Sequence, residues 1–440
     1  MPLSSSVGEC AKGVYRPRNP RNTAFFRLVA RHYEEFERVY PERYADTYGY
    51  FRPVIADVVR KYLVCGDLKE GFARVRCDEC GHEYLLSFSC KGRYFCTSCH
   101  TKRAVAFSEW LNDTVLWAVP HRQIVLTVPK MLRPYFRYDR RLLGKLCQVA
   151  SRVITKSFRA LTGRQDITVG MVACVQTFGN FANFHPHLHI LVTDGGFGPN
   201  GTFYVLPKVS LAGLEQLFRH RVLKMMLRTG LVTPKRVKLL LSWKHSGFNI
   251  DGSVRVRASD RQGRENISRY LIRAPFSVDK IQYSCREGSV IYKTKMVKGP
   301  NRNFQVYDPL DFLAAVTAHI PDRREHLVRY YGWYSSVQRG KRRKLGLEAK
   351  LPEAPPLEDN TAEARAARRA WARLIKKIYE VDPLICPECS SPMRIISIIE
   401  EQEVIRKILE HLRLWEDPEP RPPPAVPEQV DIQYVPFFDS

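Results

Sequence analysis

The sequence predicts an α+β protein: a mainly antiparallel sheet with helices on one face, preceded by a helical segment and a cysteine-rich module of zinc-ribbon type. Three observations lead there. Short strand-type runs alternate with helical patterns from residue 122 to residue 295, and two pairs of these strands are joined by short polar loops. Six cysteines (Cys65, Cys77, Cys80, Cys90, Cys96 and Cys99) crowd one short stretch. His185, His187 and His189 stand at alternate positions of an apolar run continued by Ile190, Leu191 and Val192. Successive side chains of a strand point to opposite faces, so the three imidazoles share one face and Leu188, Ile190 and Val192 line the other.

From Phe26 to Leu63 the apolar residues Leu28, Tyr33, Phe36, Tyr40, Ile55 and Val59 fit helices on either side of a polar break near Pro41. The cysteine module runs from Cys65 to about Thr101 and leads into a helix at 104–118. A strand at 122–128, a long basic helix at 132–161, and strands at 169–178 and 184–193 follow. The loop Gly179-Asn180-Phe181-Ala182-Asn183 makes a hairpin of the last two, and Asp194-Gly195-Gly196 closes the block. Helices are expected at 211–228 and 259–273, the second ended by Ala274-Pro275, because the residue before proline is pushed out of the helical region. A strand pair at 280–285 and 290–295 turns through Arg286-Glu287-Gly288, and a helix at 310–319 completes the unit.

These elements divide the chain into five parts. Residues 1–110 hold the helical segment and the cysteine module, and 115–345 hold the central α+β domain. A linker and basic helix occupy 346–378, a Cys-x2-Cys module 379–414, and a proline-rich, acidic tail, expected to be disordered, 415–440.

The composition narrows the partners. Lys+Arg number 70 against 45 Asp+Glu, a formal charge of +25, far more than solubility requires. Nucleic acid is the leading polyanion. With no run of about 18 apolar residues and no signal-type segment at the start, a membrane partner is not expected and a cytosolic location is. There the 12 cysteines stay reduced and do not form a disulfide framework.

Cys77-x2-Cys80 and Cys96-x2-Cys99 stand 15 residues apart, the zinc-ribbon spacing in which each pair gives two thiolates to a tetrahedral Zn2+. Cys65, Cys90, His82 and His100 are then surplus, either replacing a member of that quartet or belonging to a second site. Cys386-x2-Cys389 is half a knuckle, which can hold a second zinc only with ligands from elsewhere. The histidine strand offers a different kind of site. His187 and His189 with one further ligand leave a divalent ion an open position for chemistry, and His185 is a candidate third ligand. On the helix at 259–273, Tyr270 is either a packing residue or a nucleophile, its phenol being a poor one unaided.

At His187-Leu188-His189, with a tyrosine on a later helix, the chain resembles the HUH endonucleases. More narrowly, it resembles the rolling-circle HUH transposases of bacterial insertion sequences, the variety with an N-terminal zinc-binding domain and a single tyrosine. The resemblance rests on Ser89-Cys90-Lys91, Cys96-Thr97-Ser98-Cys99, Val119-Pro120-His121-Arg122, Leu126-Thr127-Val128-Pro129-Lys130, Asn183 to His189, Ser268-Arg269-Tyr270-Leu271 and Val328-Arg329-Tyr330-Tyr331-Gly332, and spans about Val59 to Leu345. Many such proteins carry a second tyrosine four residues upstream, where this chain has Asn266.

The resemblance implies a ferredoxin-like or RRM-like HUH core and an enzyme that cuts and rejoins single-stranded DNA, at transposon ends and target, in the bacterial cytoplasm in association with the nucleoid. Tyr270 would form a 5′-phosphotyrosine link while Mg2+ or Mn2+ on His187 and His189 polarises the phosphate, the third ligand being His185, Glu265 or Asn266. A lone tyrosine requires that Tyr270 be reused or that a homodimer supply another. Arg269, Arg273, Arg329 and the cluster Lys341, Arg342, Arg343, Lys344 are the expected DNA contacts, since cations interleaved with rings suit phosphate neutralisation and base stacking. Two other readings compete: a plasmid replication initiator or relaxase, and a non-catalytic zinc-dependent DNA-binding regulator.

Overall fold

The computed structural model describes residues 20–207, 211–243, 247–297, 302–346 and 384–415. The expectations for 347–378 and 416–440 lie outside the described residues. Helix α1 (Ala24–Arg43) starts where Thr23 Oγ1 accepts the Phe26 N–H at 3.1 Å, and it runs two residues past Pro41 instead of breaking there. Short α2 (Ala45–Tyr48) and α3 (Pro53–Leu63) follow. The hairpin β1 (Phe72–Cys77) and β2 (Glu83–Ser87) precedes α4 (Thr97–Trp110), which ends in a π-helical turn at Leu111–Val115.

The central domain runs through β3 (His121–Thr127), α5 (Arg133–Tyr138), α6 (Arg141–Thr162), β4 (Gly170–Phe178) and β5 (Phe184–Thr193). It continues with β6 (Gly195–Phe197), β7 (Phe203–Val205), α7 (Ala212–Arg228), α8 (Pro234–Ser242), β8 (Asn249–Asp251), β9 (Arg255–Val256) and α9 (Arg261–Leu271). Then come β10 (Ile281–Ser284), β11 (Ser289–Val297), β12 (Arg302–Tyr307), α10 (Pro309–Thr317), β13 (Val328–Gly332) and α11 (Ser336–Lys344). The last described elements are β14 (Met393–Ile399) and α12 (Gln402–His411).

The main sheet has the order β13-β4-β5-β3-β8, with β9 also on β3, and all its pairings are antiparallel. Its hairpin of β4 and β5 is the one the sequence predicts. The expectation of helices on one face is corrected. Ile124, Leu126, Ala173, Leu188 and Ile190 pack on α6 and α7, while Val172, Cys174 and Leu191 pack on α4, α9 and the fully buried Tyr334. Every residue of β4 is buried, as a strand covered on both faces requires.

Strand β13, read from sequence only as a basic aromatic stretch, is the sheet's edge. It stops at Gly332, whose φ of +55° and whose position, with any Cβ only 1.9 Å from the Val169 carbonyl oxygen, admit no side chain. A second core, built on Phe25, Phe36 and Phe312, joins α1, α3 and α10 to the sheet β10-β11-β12. In a third sheet, β14-β1-β2, the strand after Cys389 lies antiparallel along β1, so the C-terminal module is joined to the N-terminal one rather than standing apart.

Candidate active site and metal centres

The register of the sheet sets the site. His189 lies opposite Val125 on β3 and Cys174 on β4, and His187 lies opposite Thr127 and Gln176, so all these side chains share the α9 face. His185, His187, His189, Tyr270 and Arg273 line one cavity of about 1140 Å³. The His185 and His187 ring centroids are 5.2 Å apart, those of His187 and His189 4.8 Å. The Tyr270 ring stands edge-on to His189 at 5.1 Å and is 41% exposed at the cavity wall.

Hydrogen bonds select the tautomers. Nδ1–H of His187 donates to the His185 carbonyl at 2.7 Å, which leaves a lone pair on Nε2. Nδ1 of His189 accepts from the Gln123 side-chain amide nitrogen at 2.9 Å, which places the His189 proton on Nε2. Nε2 of His185 and Nε2 of His189 are buried and have no hydrogen-bond partner among the described residues. Burial pushes His185 and His187 down to about 4 and His189 to about 3, with Arg133 and Arg273 adding to it, so the rings are neutral at physiological pH. Neutral, buried imidazoles suit a divalent ion: His187 offers its Nε2 lone pair as it stands, and His189 offers Nε2 when the Gln123 amide is turned to present its oxygen to Nδ1–H.

The sequence leaves the third ligand open among His185, Glu265 and Asn266. Among the described residues, the only groups of three or more metal-ligating side chains with atoms within 4.8 Å are cysteine quartets, so the three histidines do not converge as a set. Glu265 is buried in ion pairs with Arg261 (3.2 Å) and Arg269 (3.7 Å), and Asn266 accepts from Gln262; neither lines the cavity. Asn249 and Asp251 do line it, from the strand next to β3. Asn249, Asp251, Gln123 and Gln176 all escaped the sequence reading, because a polar residue inside a strand carries no spacing signature of its own.

The Tyr270 helix is tied down on several sides. The Gln176 amide nitrogen donates to the carbonyls of Tyr270 (2.8 Å) and Leu271 (2.9 Å), and Ser108 Oγ donates to the Glu265 carbonyl (2.9 Å). His100, surplus in the sequence reading, is structural: Nδ1 accepts the Tyr94 N–H at 3.2 Å and Nε2–H donates to the Ile272 carbonyl at 2.5 Å. It links the cysteine module to the end of α9.

The cysteine quartet Cys77, Cys80, Cys96, Cys99 expected from spacing is corrected. Cys96 and Cys99 cluster with Cys65 and Cys90, and Cys77 and Cys80 with Cys386 and Cys389. The reason is topological. Cys77 ends β1 beside β14, whereas Cys96 caps α4 beside Cys65, at the end of α3. In the first quartet, Sγ separations of 3.6 to 3.9 Å approach the ~3.8 Å edge that Zn–S bonds of about 2.3 Å give a tetrahedron. Cys90 N–H and Gly92 N–H donate to Cys65 and Cys90 sulfurs, as backbone amides do to thiolates.

The expected DNA contacts divide. Arg273 lines the cavity, its guanidinium 4.4 Å from the Tyr270 ring centre. Arg269 is half-buried against Glu265. Arg329, paired with Ala173, lies on the opposite face from the histidines, over Gly144 of α6. Arg342 is corrected outright: it is buried on the Trp333 and Trp117 rings at 4.4 and 5.6 Å. Lys341, Arg343 and Lys344 are exposed on α11.

Residues 170–342 match the family described as "Putative transposase". Residues 31–128 match the "Transposase zinc-binding domain", a span that takes in Cys77 and Cys80 but not Cys386 or Cys389. The chain is 25% identical over 360 residues to the transposase for insertion sequence element IS801 of Pseudomonas savastanoi pv. phaseolicola, covering 78% of this chain and 84% of that protein. It is 23% identical over 283 residues to "Putative transposase y4qJ" of Sinorhizobium fredii (strain NBRC 101917 / NGR234), covering 60% and 70%. No solved structure matches it. Among the described residues no helix is long and apolar enough to cross a membrane.

Proposed function

The chain belongs to the rolling-circle transposases of insertion sequences that carry an N-terminal zinc-binding domain, and from that premise we propose that it nicks and rejoins single-stranded DNA through Tyr270. The observation that carries this reading is the shared cavity, in which the Tyr270 ring stands 5.1 Å from His189 and 4.4 Å from the Arg273 guanidinium.

The Tyr270 hydroxyl gives up its proton as its oxygen attacks the phosphorus of a phosphodiester, and the bond from phosphorus to the 3′ oxygen breaks. The 5′ phosphate stays on the tyrosine, and the leaving 3′ oxygen takes up a proton. Attack by a 3′-hydroxyl on that phosphotyrosine reverses the chemistry and joins a new strand, so no nucleotide hydrolysis is needed. Arg273 offers a fixed cation to the pentavalent transition state, where charge on the phosphoryl oxygens grows. Gln176, Ser108 and His100 hold the helix that presents the phenol. His187 and His189 would hold Mg2+ or Mn2+, which when bound polarises the scissile phosphate.

The HUH-type description of the sheet belongs to the same proposal, as does action at the nucleoid in the cytoplasm. So does the need either to reuse Tyr270 or to borrow a second subunit's tyrosine, because the residue one turn upstream is Asn266. The test is a labelled single-stranded oligonucleotide incubated with the full chain and Mn2+. A denaturant-resistant protein–DNA adduct is expected in wild type and absent in Tyr270→Phe and His187→Ala. An adduct that persists in Tyr270→Phe overturns the nucleophile; no adduct in wild type, with DNA still bound, favours a non-catalytic regulator.

A further inference from the structure

We infer that Cys77, Cys80, Cys386 and Cys389 hold a second structural Zn2+, completing a zinc ribbon whose two knuckles come from opposite ends of the described chain. Their Sγ atoms all lie within 4.8 Å of one another, with Cys77 and Cys389 3.5 Å apart and Cys80 and Cys386 3.4 Å apart. This site is independent of the cavity around Tyr270 and of the quartet at Cys65.

The two knuckles have the same backbone. Cys77 N–H donates to the His82 carbonyl at 2.8 Å, and Cys386 N–H to the Ser391 carbonyl at 2.9 Å. The Cys77 carbonyl accepts from Gly81 N–H at 3.1 Å, and the Cys386 carbonyl from Ser390 N–H at 2.9 Å. In each, the residue after the second cysteine is left-handed, Gly81 at φ +74° and Ser390 at φ +61°. Serine pays a conformational cost in that region, which persists only where the surrounding structure imposes it. Two turns of one geometry, facing each other with four sulfurs between, make a four-thiolate metal site.

Packing alone is a weak reason for the ends to meet. The apolar cluster at the knuckles has four buried members (Val75, Cys77, Cys386 and Met393), two of them proposed ligands, and the cluster under α12 has three (Phe72, Ile405 and Leu409). Modules with cores this small draw folding free energy from metal binding. Backbone pairing of β14 with β1, from Phe72↔Ile399 to Cys77↔Met393, then extends the clasp along a full strand. Binding converts four thiols and one Zn2+ into a tetrathiolate of charge −2 with release of four protons.

The test measures metal per chain on the full-length protein, purified under reducing conditions, by elemental analysis and native mass spectrometry. Two zinc ions are expected in wild type, and one in Cys386→Ser/Cys389→Ser. Cys386→His should keep two, since zinc accepts a Cys3His shell; this variant separates loss of a ligand from loss of fold. Wild type carrying a single zinc, iron in the second site, or thiol titration of denatured, unreduced protein that finds Cys77, Cys80, Cys386 and Cys389 in disulfides overturns the inference. So does a double serine variant that retains two zinc ions.

Discussion

The side-chain nitrogen of Gln176 donates to the backbone carbonyl of Tyr270 at 2.8 Å, joining the strand beside the histidines to the helix that carries the phenol. The same nitrogen reaches the Leu271 carbonyl at 2.9 Å, and Oε1 accepts from Arg273 Nε at 3.3 Å. Gln176 is buried and lies opposite His187 in the sheet. One residue therefore spaces the tyrosine, the arginine and the metal-ligand candidates. Gln176→Leu should cost about 1–3 kcal/mol of stability through unpaired carbonyls. It should also slow adduct formation about tenfold or more while binding of the oligonucleotide holds. Single-turnover kinetics alongside a binding isotherm make the check, and equal loss in both would show that Gln176 only supports the fold.

Arg273 sits between Tyr270 and Phe178, 4.4 and 5.2 Å from their ring centres. That position suits a cation that meets the phosphate as the phenol attacks. Arg273→Ala should lower the rate of adduct formation about 10²-fold, the scale for one lost charged donor to a developing anion. Arg273→Lys should recover part of it, since a point charge lacks the planar fork. Single-turnover rates at saturating oligonucleotide measure the effect, and unchanged rates in the alanine variant would remove Arg273 from the chemistry.

How far the sequence can be read depends on whether an interaction is local. The histidine row and the hairpin that carries it follow from short-range periodicity, and Tyr270 from the resemblance to HUH transposases; the structure brings them to one cavity. The cysteine partners do not, because spacing pairs Cys77 with Cys96 while the strand beside Cys77 comes from residues more than 300 positions away. Strand β13 was obscured by its own composition: Arg329 and Tyr331 point to α6 and Tyr330 to the α9 face, so an edge strand looks like a basic surface. The second helical layer was written in the uninterrupted apolar run Met171 to Val175, which a half-exposed strand would not have.

Helix α11 separates structural from surface cations. Arg342 is buried on two tryptophan rings, whereas Lys341, Arg343 and Lys344 are exposed. Arg342→Ala should lower stability by about 1–3 kcal/mol through lost ring stacking and leave DNA affinity within about twofold. The triple alanine variant at Lys341, Arg343 and Lys344 should leave stability nearly unchanged. If all three meet phosphates, it should also reduce the slope of log affinity against log salt by about 2. Denaturant melts and salt-titrated binding of single-stranded DNA decide it, and an unaltered salt slope would place the DNA elsewhere.

Two buried histidines away from the metal sites tie stability to pH. Nδ1–H of His121 donates to the Val119 carbonyl at 2.7 Å and Nε2 accepts from Tyr334 at 2.8 Å. His319 accepts from Thr177 at 3.0 Å and donates to the Ala182 carbonyl at 2.8 Å. Burial pushes His121 down to about 4 and His319 down to about 3, from an ordinary value near 6.5. The folded state holds both neutral, so their contribution is fully present above about 6.5. As pH falls from there toward 3 to 4 the unfolded chain takes up protons the folded chain refuses, and each ring removes at most about 1.4 kcal/mol per pH unit. His319→Gln keeps a donor and an acceptor without titrating, so its stability should fall less steeply than wild type below pH 6.5. Denaturant melts of both proteins across pH 4 to 8 give the comparison, and parallel curves would show that His319 is protonated, or accommodated as a cation, in the folded protein.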